Sequence, residues 1–170
     1  MAVMHNVALG IAVVASIVTV ISISTMMQPA ASQFEVGTLP TNRSTFYINT
    51  VGHEASVNAT REPFPNSTLP EGRGYMLDPP NEQGNWRIET YVFDPSQIVV
   101  YEGDQVTLNI LGVRGRVHNI SVSGYVDEFE LHRGELRPVT FTADRAGTID
   151  FICSIHQPTM HGQILVLPRG

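Results

Sequence analysis

The sequence predicts an all-β fold: an antiparallel β-sandwich with Greek-key connections, preceded by one N-terminal transmembrane helix. Three observations carry this. Segments of β character, several of them strictly alternating apolar and polar, recur about every 10–15 residues from Asn85 to the C-terminus, with turn residues between them. No helical period interrupts that stretch. The chain opens instead on an apolar run of about 20 residues, long enough to span the hydrocarbon core of a bilayer.

Residues 1–27 are the expected membrane anchor or signal segment. Roughly the first 28 residues carry no charged side chain, and residues 7–23 are almost wholly apolar. Length argues for a retained anchor, while a cleaved signal peptide, with Pro29-Ala-Ala-Ser32 as its cleavage site, is the competing reading. No positive residue precedes the run, so charge assigns no orientation. Residues 28–85 form a polar extension rich in Pro, Asn, Ser and Thr, punctuated by Pro63-Phe-Pro65, Leu69-Pro70 and Asp78-Pro-Pro80. Such a composition reads as a linker or loop-rich cap, with one strand expected at residues 44–51. The acceptor tripeptides Asn42-Arg-Ser, Asn58-Ala-Thr and Asn66-Ser-Thr crowd into this extension and point to an extracytoplasmic face.

Residues 86–170 are the expected domain. Strands are predicted at 86–92 and 97–101, separated by the breaker Asp94-Pro-Ser, and at 105–111 after the turn Tyr101-Glu-Gly-Asp104. Residues 117–122 (VHNISV) and 137–143 (RPVTFTA) continue the pattern. After the turn Asp144-Arg-Ala-Gly147, strands at 148–153 and 162–167 close the chain.

Composition narrows the function. With a net charge of −6, no lysine and ten arginines, the chain lacks the clustered cations that nucleic acid demands. A single cysteine excludes an internal disulfide. That cysteine stands in Phe151-Ile-Cys153-Ser-Ile-His156-Gln-Pro-Thr-Met160-His161-Gly162, where nine residues supply one thiol, two imidazoles and a thioether. A strand ending at Cys153 presents its sulfur at the rim of a sandwich, and a short loop stiffened by Pro158 returns His156 beside it. Soft sulfur beside imidazole suits copper, and Cys plus two His with a weak fourth donor is the blue-copper electron-transfer set. His118 is the candidate second imidazole. A structural zinc site would carry more thiolates. His53 and His132 read as surface residues, and His5 has no assigned role.

These segments resemble the cupredoxins: plastocyanin-like blue copper proteins, nitrosocyanin and the copper domain of cytochrome oxidase subunit II. Residues 93–108 are similar to the family's entry strands, Val117-His-Asn-Ile to the segment bearing its first histidine, and residues 141–153 to the strand–turn–strand leading into its cysteine. The resemblance implies a cupredoxin-type sandwich holding one copper ion, Cu(I)/Cu(II), with His118, Cys153 and His156 as the strong ligands. The blue-copper spacing fits Cys153, His156, Met160 and Gly162; the nitrosocyanin spacing fits Cys153, His156 and His161, although nitrosocyanin has a glutamate where this chain has His118. Strand alternation favours Met160 as fourth ligand, and the stronger binding of imidazole to copper favours His161. A dinuclear centre would need a second cysteine four residues after the first, and residue 157 is Gln.

The function expected from this resemblance is that of a membrane-anchored, extracytoplasmic, mononuclear copper protein carrying single electrons between redox proteins of a respiratory chain. His156, with Pro158, Thr159 and Met160 around it, is the expected electron port. The alternatives are a nitrosocyanin-like copper enzyme acting on a small molecule such as nitric oxide, and an electron-entry subunit of a terminal oxidase.

Overall fold

Alternation decides which faces meet in the core. In Gln105–Gly112 the even-numbered residues Val106, Leu108 and Ile110 are buried, and in Gly147–Cys153 the odd-numbered Ile149, Phe151 and Cys153 are. A period of two puts these side chains on one face of each sheet, so two such faces close on each other. The computed structural model describes residues 41–170. The membrane segment expected at residues 1–27, and the start of the polar extension, lie outside the described residues.

Among the described residues, ten strands form two five-stranded sheets. The strands are β1 (Arg43–Asn58), β2 (Tyr75–Asp78), β3 (Asn85–Asp94), β4 (Gln97–Tyr101), β5 (Gln105–Gly112), β6 (Val117–Val122), β7 (Val126–His132), β8 (Leu136–Thr142), β9 (Gly147–Cys153) and β10 (His161–Leu167). One sheet runs β2-β3-β1-β5-β8 and the other β4-β10-β9-β6-β7. The expected all-β sandwich is thus present, with two departures from a purely antiparallel one: β1 runs parallel to β5, and β4 parallel to β10.

The polar extension is the larger difference. From Arg43 it is part of the sandwich, since β1 lies between β3 and β5 at the centre of its sheet. Its first half buries Ile48 and Thr50, whereas residues 53–56 are exposed and join β3 by backbone pairing and by polar side-chain contacts, Glu54 to Arg87 and Ser56 to the Trp86 carbonyl. That outer half lacks alternation because it has no second sheet to face. Asn58 ends the strand with its amide bonded to the Gln83 carbonyl and to Asn85 Oδ1, so this acceptor tripeptide serves as a turn. β7 was not expected either: Asp127, Glu128 and Glu130 give it the charged surface of an edge strand.

Two local features fix the ends of the sandwich. At one end the buried Asp104 carboxylate accepts the backbone N–H of Tyr101 (3.0 Å) and Asn42 (2.9 Å) and pairs with Arg169. At the other, Gly162 of β10 faces the Phe151 ring so closely that an added Cβ would lie 2.1 Å from a ring carbon. Only glycine admits that approach, and it draws the start of β10 against the end of β9.

Candidate metal centre

Register brings two ligands together before any loop is considered. Cys153, the last residue of β9, pairs with Ile120 of β6, and His118 lies two residues along β6 on the same face. Such diagonal neighbours across a strand pair lie within side-chain reach, and His118 Nδ1 stands 3.8 Å from Cys153 Sγ. β9 then stops, and the single 3-10 turn Ser154–His156 folds His156 over its end, with Nδ1 3.3 Å from the same sulfur. The three donor atoms all lie within 4.8 Å of one another. His118 and Cys153 are fully buried, and His156 is 7% exposed.

Protonation is set by what surrounds each group. His118 Nε2 lies 2.6 Å from the Arg114 carbonyl oxygen, which can only accept, so Nε2 carries the proton and Nδ1 turns a lone pair towards the sulfur. Burial lowers the His118 pKa further than that bond restores it. For His156, burial, then the neighbouring His118, then the Arg73 charge lower the pKa to about 4. Burial raises the Cys153 thiol, against the opposing pull of backbone N–H groups from Asn119, Ile155 and His156. Two neutral imidazole nitrogens and one sulfur therefore meet in a dry pocket. A soft cation suits that set, since it binds neutral imidazole directly and deprotonates a coordinating thiol.

The loop after the cysteine is held as tightly as the strands. Gln157 Nε2 donates to the carbonyls of Cys153 (2.8 Å) and Met160 (3.1 Å). The Met160 N–H donates to His156 O and the Cys153 N–H to Met160 O, both at 3.0 Å. Met160 is fully buried in the core beside these ligands. His161, one residue on, faces outward: its Nε2 meets Asp150 Oδ1 at 2.9 Å and its side chain is 44% exposed. The structure thus gathers His118, Cys153 and His156, keeps Met160 inside, and withdraws His161 from the cluster, because adjacent residues of an extended segment point to opposite sides.

Other residues shape the site without any signal in their spacing. The Tyr91 ring packs 4.5 Å from His156 and 6.3 Å from His118, centroid to centroid. Arg114, whose carbonyl fixes His118, is anchored by its Nε to Glu89 Oε1 at 2.6 Å, and the Glu89 side chain is 2% exposed. Gly115 adopts φ +89°, and an added Cβ there would stand 2.7 Å from His118 Nε2. His53 and His132 lie at the surface as expected.

The cupredoxin-like domain family model matches residues 79–166, just over half of the chain, and the protein belongs to that family. Similar solved structures include a copper nitrite reductase from Nitrosomonas europaea, at 18% identity and a TM-score of 0.48, covering 75% of this chain and 42% of that one. The multicopper oxidase mgLAC aligns at 18% identity and a TM-score of 0.46, over 76% of this chain and 40% of its own. A copper-containing nitrite reductase from Thermus scotoductus SA-01 aligns at 18% identity and a TM-score of 0.48, over 75% and 28%. The chain therefore spans less than half the length of these structures. No curated protein sequence matches it.

Proposed function

We propose that the protein is a membrane-tethered, extracytoplasmic, mononuclear copper protein that passes single electrons between redox proteins of a respiratory chain. The observation that carries this is the convergence of His118 Nδ1, Cys153 Sγ and His156 Nδ1 within 4.8 Å in a buried pocket. Copper bound there would supply one-electron exchange between Cu(I) and Cu(II). Cys153 contributes the soft thiolate and the two imidazoles the remaining strong donors, with Met160 as the weak fourth ligand. The hydrogen bonds that pin the 153–160 loop keep these donors in place through a change of charge, and a fixed donor set is what rapid electron exchange requires.

His156 is the electron port in this reading. It is the one ligand with residual exposure, and it borders an open pocket at the rim of the sandwich. A small-molecule enzyme would need an accessible coordination position, and the burial of His118, Cys153 and Met160 favours the carrier instead. The tether rests on the apolar run at residues 1–27, and the extracytoplasmic side on the acceptor tripeptides Asn42-Arg-Ser and Asn66-Ser-Thr.

Two measurements test it. The purified full chain should take up one equivalent of copper with an intense sulfur-to-copper absorption band and a reversible one-electron wave in voltammetry. A chain that binds no copper, or binds it without that band, overturns the copper reading. In cells the protein should sediment with membranes through a carbonate wash and be digested by protease added outside the membrane. Release by the wash removes the tether, and protection from the protease removes the extracytoplasmic placement.

A further inference from the structure

The chain carries a net charge of −6, yet three arginines line the pocket that borders His156. They are Arg73 from the segment before β2, Arg116 immediately before β6 and Arg133 immediately after β7, and among the described residues no acidic side chain lines it. Neither Arg73 nor Arg116 has a side-chain hydrogen bond or ion pair among the described residues. Arg133 donates only its Nε, to the Gly115 carbonyl at 3.1 Å. Five of the other arginines are engaged: Arg87, Arg114 and Arg169 are bound to carboxylates, and Arg137 and Arg145 lie over aromatic rings. Arg43 and Arg61 have no such side-chain partner among the described residues but do not line this pocket.

Three guanidiniums around one concavity repel one another, and an anion between them offsets that repulsion. Their charge stands beside the site, since His156 itself is one of the pocket's walls. The remaining walls include Met76, Tyr91, Val117 and Ile155, whose apolar surface strengthens an ionic contact made within it. Guanidinium forks match the paired oxygens of carboxylate and phosphate. The volume, about 260 Å³, is room for a small anion.

We propose that this pocket binds a small oxyanion of phosphate or carboxylate type, held by Arg73, Arg116 and Arg133 beside His156. If the copper reading holds, on which this consequence rests, the bound anion favours the more positive oxidation state and lowers the reduction potential.

Calorimetric titration of the full chain with sodium phosphate and with sodium acetate, at constant ionic strength, tests the site with or without copper. One saturable site is expected for at least one anion, weakened about tenfold or more in Arg73→Gln/Arg116→Gln/Arg133→Gln. Arg145→Gln, at the opposite end of β9, should bind as the parent does. The proposal is overturned if neither anion saturates, or if the triple variant binds like the parent. Because these exposed arginines are no part of the donor set, failure to bind copper leaves the anion result readable. A copper-loaded chain that binds phosphate with an unchanged potential overturns the coupling.

Discussion

The two ends of the sandwich both bury polar groups, and they do so in opposite ways. At the Asp104 end, burial by itself would raise the carboxyl pKa, but the N–H groups of Tyr101 and Asn42 and the Arg169 guanidinium outweigh it and hold the group below its usual value. At the Cys153 end burial wins three times: the thiol is raised and both imidazoles are lowered. The Asp104 charge is met from within the chain. The Nδ1 atoms of His118 and His156 instead converge on one sulfur, an arrangement that a cation completes. A buried polar group whose partners are all internal is a staple, and one whose donor atoms point at a common centre is a binding site.

The contrast breaks most completely at Cys153. Cys153→Ser should abolish the sulfur-to-copper absorption while leaving the β-rich circular dichroism unchanged, because a serine oxygen cannot supply a soft covalent donor. A variant that kept the band would make Cys153 a packing residue. Met160→Ala comes next and should act twice. Truncating a fully buried methionine costs about 2–5 kcal/mol of stability, and loss of the proposed fourth donor should shift both spectrum and potential. A Met160→Ala protein of unchanged potential would remove Met160 from the donor set.

At the staple, Asp104→Asn replaces one acceptor oxygen with a donor facing groups that only donate. Loss of a charge-assisted bond there should cost about 1.5–3 kcal/mol in chemical denaturation, with copper uptake unaffected. The pH dependence has a definite sign. The folded carboxyl titrates below its usual 3.8, so its contribution is present at neutral pH and is lost as the pH falls below that value through the folded pKa. The parent should therefore lose more stability than the variant on acidification below about pH 4. Equal losses would mean that Asp104 is not the staple.

Donor chemistry and spacing made the ligand end legible from sequence, singling out His118, Cys153 and His156. Alternation added that Met160 and His161 face opposite sides, and the strict period of two in β6, β9 and β10 agrees with it. The extension was misread for a physical reason. The outer half of β1 contributes backbone hydrogen bonds but no core side chains, and such a strand leaves no hydrophobic pattern. β7 was hidden by the acidic residues that protect an edge. The surroundings of the ligands were illegible for another reason: Tyr91 packs on His156 from β3, and Glu89 of β3 anchors Arg114, whose carbonyl holds His118, and no local spacing encodes contacts from a strand so distant in sequence.

The smallest expected effect is the sharpest test of that alternation. His161 sits one bond from Met160, yet its ring is tied on the outer face to Asp150, which also accepts Gln163 at 3.3 Å. The His161 hydrogen bond, first, and that of Gln163 hold the Asp150 carboxyl below its usual value, so the contribution of this contact fades as the pH falls through the folded pKa. Both side chains are more than two-fifths exposed, and solvent-exposed pairs of this kind are worth about 0–1 kcal/mol. His161→Ala should therefore leave the potential and the absorption band where they were and cost at most about 1 kcal/mol of stability. Should His161→Ala move the band further than Met160→Ala does, His161 turns inward in the copper-loaded protein, and the carrier gives way to a site with an exchangeable ligand.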